Sequence, residues 1–191
     1  MILDELKHYW QIISHPRSWW THTRFWWYTT HRERVIVLSI LTVVSITVGS
    51  VAYHNINHAA NQQEIHCLAL NIYHEARGEP RAGQYAVGEV TMNRVKSPKY
   101  PANVCDVVHQ KHWNPKRKRY SHAFSWTNND YAVNLRSRQW RKAVHVAREI
   151  YHDNFEPQLD GAMYYHAKYV RPGWAKRYDV VARIGQHIFY K

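Results

Sequence analysis

Residues 35–53 read VIVLSILTVVSITVGSVAY, 19 residues without one charged side chain, and no other stretch constrains the fold as strongly. Wound as an α-helix at about 1.5 Å per residue, the run would be about 29 Å long, close to the roughly 30 Å of a bilayer's hydrocarbon core. A helix buried in a soluble core normally keeps a polar face. This run offers only serine and threonine, whose hydroxyls can bond back to their own helix. The expectation is a membrane-spanning helix. The rival reading is a cleaved signal peptide, but the 34 residues ahead of the run are too many for a usual n-region.

The flanks give the helix a direction. Lys7, Arg17, Arg24, Arg32 and Arg34 precede it, and no Lys or Arg follows until Arg77. By the positive-inside rule the N-terminus stays in the cytoplasm and the C-terminal part is exported. Trp10, Trp19, Trp20, Trp26 and Trp27, with arginines between them, suit a segment lying at the membrane surface. Export also bears on the cysteines. Cys67 and Cys105 alone cannot make a four-ligand zinc site. On the oxidising side of a bacterial membrane a Cys67–Cys105 disulfide is the expectation, with two buried thiols as the alternative.

Four regions follow: a basic, Trp-rich segment at 1–34, a transmembrane signal-anchor helix at 35–53, a polar linker at 54–63 and an exported domain at 64–191. Within the domain, Ile65, Leu68, Ile72 and Ala76 recur at helical spacing and predict a helix over 62–77. Asn61 and Glu64 resemble a capping box at its start, and Gly78 and Pro80 stop it. A second helix is expected over 81–96, with Tyr85, Val87, Val90 and Met92 as core contacts. A helical turn is expected near 103–109. The stretch 110–130 is polar and basic, with Lys116, Arg117, Lys118 and Arg119 in a row. A further helix is expected over 134–153, using Leu135, Val144, Ala147 and Ile150. The β-branched and aromatic runs at 162–166 and 179–191 read as short strands. The class is α+β, mostly helical with a small β element.

The net charge of +12 calls for an anionic partner: nucleic acid, anionic lipid or an anionic wall polymer. No helix-turn-helix or other nucleic-acid signature accompanies the basic run, and export removes it from DNA, so no nucleic-acid partner is expected. Among the 15 histidines, His74 and Glu75 open like a zinc-protease HExxH motif, but the second histidine would fall at Gly78. His66 and His74 can share a helix face, yet scattered histidines in a basic domain point to surface roles. No metal or cofactor is expected.

Cleaving a glycosidic bond needs a carboxylic acid still protonated near neutral pH, and burial at the end of an apolar helix supplies one by desolvation. Glu75 has that position. On periodicity alone it would serve equally as a surface ion-pair residue. The stretch CLALNIYHEARGEPRAGQYAVGEVTMNRVKSPKYPANVCDVV at 67–108, FSW at 124–126, GAMYYH at 161–166 and IGQHIFYK at the end resemble the SleB-type cell wall hydrolases, the spore-cortex-lytic enzyme family. The resemblance covers nearly all of 64–191 and none of the first 63 residues.

That resemblance implies a lysozyme-like, lytic-transglycosylase-type domain acting on peptidoglycan, between N-acetylmuramic acid and N-acetylglucosamine. It makes Glu75, the first glutamate of EARGE, the catalytic residue. Phe124, Trp126, Tyr164, Tyr165 and His166 become candidates for binding substrate. Glu89 and Glu79 are candidates for a second carboxylate, although Glu79 could instead pair with Arg77 or Arg81. One departure concerns the cleft: the family pattern has Gln or a similar residue before FSW, where this chain has Ala123 after a basic insert. The expected setting is the bacterial inner membrane, with the domain outside, in wall remodelling or in phage lysis from the host membrane. An amidase or peptidase would need a metal or a Cys–His pair. A non-catalytic wall-binding protein is the remaining alternative.

Overall fold

A computed structural model describes residues 16–115, 118–128 and 131–191, with no side chains described at 16–23 and 25–30. The readings placed on Lys7, Trp10, Lys116 and Arg117, and on the side chains of Arg17, Trp19, Trp20, Trp26 and Trp27, lie outside the described residues. The chain divides into two compact units, Met1–Asn57 and His58–Lys191.

Helix α1 runs Pro16–Ala76. In the first unit its apolar stretch is exposed, with Ile46 70% and Val48 63% exposed. The span His31–Ala76 is the one helix among the described residues long and apolar enough to cross a membrane. Its hydroxyls are satisfied locally. Ser39 Oγ donates to the Val35 carbonyl at 2.7 Å and Ser45 Oγ to Leu41 at 2.8 Å. Thr42, Thr47 and Ser50 each donate to a carbonyl three residues back. In hydrocarbon this spares each hydroxyl an unpaired donor.

The expected linker at 54–63 is helical. HNINHAAN is polar but contains neither Gly nor Pro, and polarity alone does not break a helix. With no helix start at Asn61, the expected capping box has nothing to cap. Asn61 instead accepts a hydrogen bond from the Tyr151 hydroxyl at 3.1 Å, and Glu64 accepts from the Val104 amide. The helix stops as expected ahead of Gly78 and Pro80.

In the second unit α2 spans Arg81–Lys96, α3 Val104–His109 and α4 Arg138–Tyr151. Asparagine and serine caps open the last two: Asn103 accepts from the Asp106 amide at 2.8 Å and Ser137 from the Trp140 amide at 3.0 Å. Because Ser137 sets the start of α4, Leu135 falls outside it and is 60% exposed, contrary to its expected core role. The basic stretch forms a hairpin that was not foreseen, β1 (Lys111–Asn114) with β2 (Arg119–His122), followed by a 3-10 turn at Ser125–Asn128. The C-terminal runs give β3 (Tyr164–Ala167), β4 (Val180–Ile184) and β5 (His187–Tyr190), an antiparallel sheet ordered β3-β5-β4.

The core gathers around the end of α1. Ile65, Leu68, Ile72 and Ala76, the stripe expected from spacing, are at most 3% exposed. They meet α2, α3 and α4 on one side and Leu159 and Phe189 on the other. Gly88 permits that convergence, since a Cβ there would lie 2.4 Å from Ile150 Cδ1 and 3.0 Å from Ile72 Cδ1. Cys67 and Cys105 form a disulfide that ties α1 to α3, with Cα atoms 5.2 Å apart.

Candidate active site

Glu75 stands in the last turn of α1, between the buried Ile72 and Ala76, and is itself half-buried. Sheet alternation decides what it meets. Successive residues of β3 point to opposite faces. Tyr165 therefore turns toward the core beside Phe189 while Tyr164 and His166 turn away. The Tyr165 hydroxyl donates to Glu75 Oε2 at 3.2 Å.

Burial pushes the Glu75 carboxyl above the ordinary carboxylate range, opposed by the Tyr165 hydrogen bond and the Arg94 charge. Burial, then the neighbouring Glu75 charge, pushes the Tyr165 phenol well above its ordinary range. Tyr165 thus remains a hydrogen-bond donor at any physiological pH. Arg94, in the last turn of α2, donates from Nε to the Met163 carbonyl at 2.9 Å. Its guanidinium lies over the rings of Tyr100 (5.5 Å) and Phe124 (5.2 Å). Those contacts fix the cation that biases Glu75.

The residue before Glu75 carries the aromatic wall. The His74 ring stacks on Trp126, centroids 4.5 Å apart, and burial lowers its pKa. Trp126 Nε1 donates to Asn71 Oδ1 at 3.1 Å, and Asn71 Nδ2 donates to Thr91 Oγ1 at 3.0 Å. Asn71, fully buried on α1 one turn ahead of Glu75, therefore couples the FSW turn to α2. His66 meets the edge of Trp140 at 5.4 Å. Among the described residues no three His, Cys, Asp or Glu side chains gather as metal ligands.

The other candidates divide. Phe124, expected to touch substrate, is 3% exposed and packs under Arg94 in the core cluster that buried residues of α1, α3 and α4 form. Tyr164 packs against Tyr178, centroids 4.3 Å apart. His166 Nε2 shares a hydrogen bond with the Tyr190 hydroxyl at 2.8 Å. Both sit on the face of β3 away from Glu75. Glu89 is buried and accepts from the Gln158 and Leu159 amides at 2.9 Å, holding the loop ahead of β3. Glu79 accepts from the Gln186 amide at 2.8 Å, with His187 Nδ1 at 4.0 Å, in place of the expected Arg77 or Arg81. It crowds the β4–β5 turn so closely that Gly185 (φ +55°) has no room for a Cβ, which would sit 1.9 Å from Glu79 Oε2. A cavity of about 180 Å³ bordered by Pro80, Arg81, Gln84, Lys142 and His145 lies apart from Glu75.

Sequence reasoning missed Arg94 and Asn71. Arg94 stands within the 67–108 stretch that carries the family resemblance, and a lone Asn one helical turn from a glutamate in an apolar helix is a signal for a buried hydrogen-bond junction.

Comparison with known proteins bears on the domain as a whole. The Cell Wall Hydrolase family model matches residues 78–190, starting three residues after Glu75. The spore cortex-lytic enzyme of Halalkalibacterium halodurans is 29% identical over 135 residues, 71% of this chain and 37% of that protein. That of Oceanobacillus iheyensis is 28% identical over 140 residues, 72% of this chain and 45% of that protein. The chain thus spans less than half of the curated relatives it matches. The solved catalytic domain of the germination-specific lytic transglycosylase SleB from Bacillus anthracis is 30% identical, with a TM-score of 0.51, over 68% of this chain and 95% of that domain.

Proposed function

The chain belongs to the cell wall hydrolase family, and from that premise we propose that it cleaves the glycan strands of peptidoglycan as a lytic transglycosylase, with Glu75 as the acid. The observation that carries this reading is the state of Glu75: a half-buried carboxyl whose pKa burial raises, aimed by a tyrosine hydroxyl. Such a group keeps its proton to higher pH than an exposed carboxyl does, which is what a general acid requires.

The reaction proceeds between N-acetylmuramic acid and N-acetylglucosamine. Glu75 gives its proton to the glycosidic oxygen, and the bond from C1 of the muramic acid breaks. The muramic acid's own 6-hydroxyl attacks C1, and its proton passes to the Glu75 carboxylate, which restores the acid. The products are a free 4-hydroxyl and a 1,6-anhydro ring. Internal attack needs no second carboxylate, because proximity replaces a positioned water. That suits a chain in which Glu79 and Glu89 are both taken up holding backbone amides. Trp126, stacked on His74, is the aromatic contact we assign to substrate, together with Tyr165.

The test is dye release from labelled peptidoglycan by the full-length chain. Release with exposure of new free amines and no new saccharide ends would mean amidase or peptidase action. No release at all would leave a wall-binding protein.

Two further outcomes are expected. Tyr165→Phe removes a hydrogen bond that favours the ionised carboxylate, so Glu75 should hold its proton to higher pH. The alkaline limb of the kcat/KM profile should shift upward, while a limb that does not move would detach Tyr165 from Glu75. For topology, we propose residues 1–34 in the cytoplasm, residues 35–53 in the inner membrane and the 64–191 domain outside. The positive charge ahead of the helix supports this, as does a disulfide, which persists in oxidising compartments. Protease added to spheroplasts should digest the domain and spare an N-terminal fragment. An intact chain under those conditions would reverse the orientation.

A further inference from the structure

The β1–β2 hairpin holds two large aromatic side chains in water. Trp113 and Tyr120 pair directly across the strands, ring centroids 5.3 Å apart, yet are 55% and 63% exposed. Lys111 falls on the same face by the two-residue alternation of a strand. From residue 107 to residue 129 the chain has five Lys or Arg and not one Asp or Glu. A two-stranded hairpin is marginal by itself, and this one is clamped at its base. The Ala123 amide donates to the Gln110 carbonyl at 2.8 Å, and His122 Nδ1 shares a hydrogen bond with Thr127 Oγ1 at 2.7 Å. Thr127 in turn donates to the Phe124 carbonyl at 2.8 Å. The clamp thus joins the hairpin to the turn carrying Trp126, which Asn71 fixes next to His74 and Glu75.

We propose that this hairpin is a second binding surface for the substrate polymer, engaging the glycan strand away from the bond that is cut. Trp113 and Tyr120 present ring faces to the apolar C–H faces of the sugars, and Lys111, Lys118 and Arg119 meet free carboxylates on the peptide branches. The assignment rests on the peptidoglycan reading above. Charge complementarity decides the partner class: a neutral glycan would leave an acid-free run of five cations unanswered. An anionic membrane would answer the charge, but it gives no role to the rigid link between hairpin and Trp126 turn.

The experiment uses the full-length chain carrying Glu75→Gln, in neutral detergent, sedimented with purified sacculi across a salt series. Binding is then read without cleavage. Adding Trp113→Ala with Tyr120→Ala should weaken sedimentation by about 10-fold, the scale of losing two central aromatic anchors. Adding Lys111→Glu, Lys118→Glu and Arg119→Glu instead should weaken it and flatten its salt dependence. Sedimentation equal to the parent for both variants overturns the hairpin surface and leaves the proposed function standing. A parent that does not bind sacculi at all overturns both. In nanodiscs of brominated anionic lipid, quenching of the fluorescence that Trp113→Phe removes, with sacculus binding unaffected by the hairpin changes, would assign the hairpin to the membrane and also overturn the proposal.

Discussion

Glu75→Gln should lower the rate of glycan cleavage by at least ~100-fold, the small end of the usual general acid–base contribution. Glutamine keeps the shape of the side chain and can still accept the Tyr165 hydrogen bond, but it has no acidic proton to give. The same change should not weaken the fold. The folded-state pKa of Glu75 lies above its unfolded value, so the folded protein binds that proton more tightly. Stability therefore falls as pH rises from the unfolded pKa through the folded one, because a side chain that ionises readily in the unfolded chain and less readily in the fold carries a net cost there. Removing the charge removes that cost. Unfolding at pH 7 should show the variant at least as stable as the parent. A variant both inactive and markedly destabilised would place Glu75 in the scaffold instead.

Cys67→Ser with Cys105→Ser should cost about 2–4 kcal/mol. The bridge spans 38 residues, for which the chain-entropy model gives about 4 kcal/mol at 25 °C, and engineered or native bridges often deliver less. Cys67 is 7% exposed within the core cluster around the end of α1, and the bridge joins that helix to α3. The loss is therefore expected to reach the site, because the same helix presents Glu75. Denaturant midpoints of the detergent-solubilised chain, with and without reductant, measure it. Midpoints that coincide would mean that the bridge contributes nothing. A double variant that retains full activity at growth temperature would separate the bridge from the site.

Much of the helical frame was legible because its limits are chemical. Pro80 and Pro98 bracket α2, and the stripe Ile65, Leu68, Ile72 and Ala76 has the helical period that burial requires. The region at 54–63 was misread because polarity was given the force of a helix breaker. The hairpin left no trace since KHWN and RYSH lack the apolar alternation of a half-buried strand; cross-strand pairing and the Gln110 clamp hold it instead. Phe124 shows another limit. An aromatic within a motif looks alike whether it meets sugar or fills the core, and only its 3% exposure decides. The environment of Glu75 was the least legible part. Tyr165 lies 90 residues further along, and Arg94 reaches its place through the Met163 carbonyl and two rings, none of which a local pattern encodes.

Mass spectrometry of the soluble products from purified peptidoglycan tests the central claim most directly. The full-length chain should release fragments ending in 1,6-anhydro-N-acetylmuramic acid, and Glu75→Gln should release almost none. Reducing-end muramic acid would mean hydrolysis and would require a base, returning Glu79 and Glu89 to consideration. Anhydro fragments released at a near-normal rate by Glu75→Gln would contradict the account.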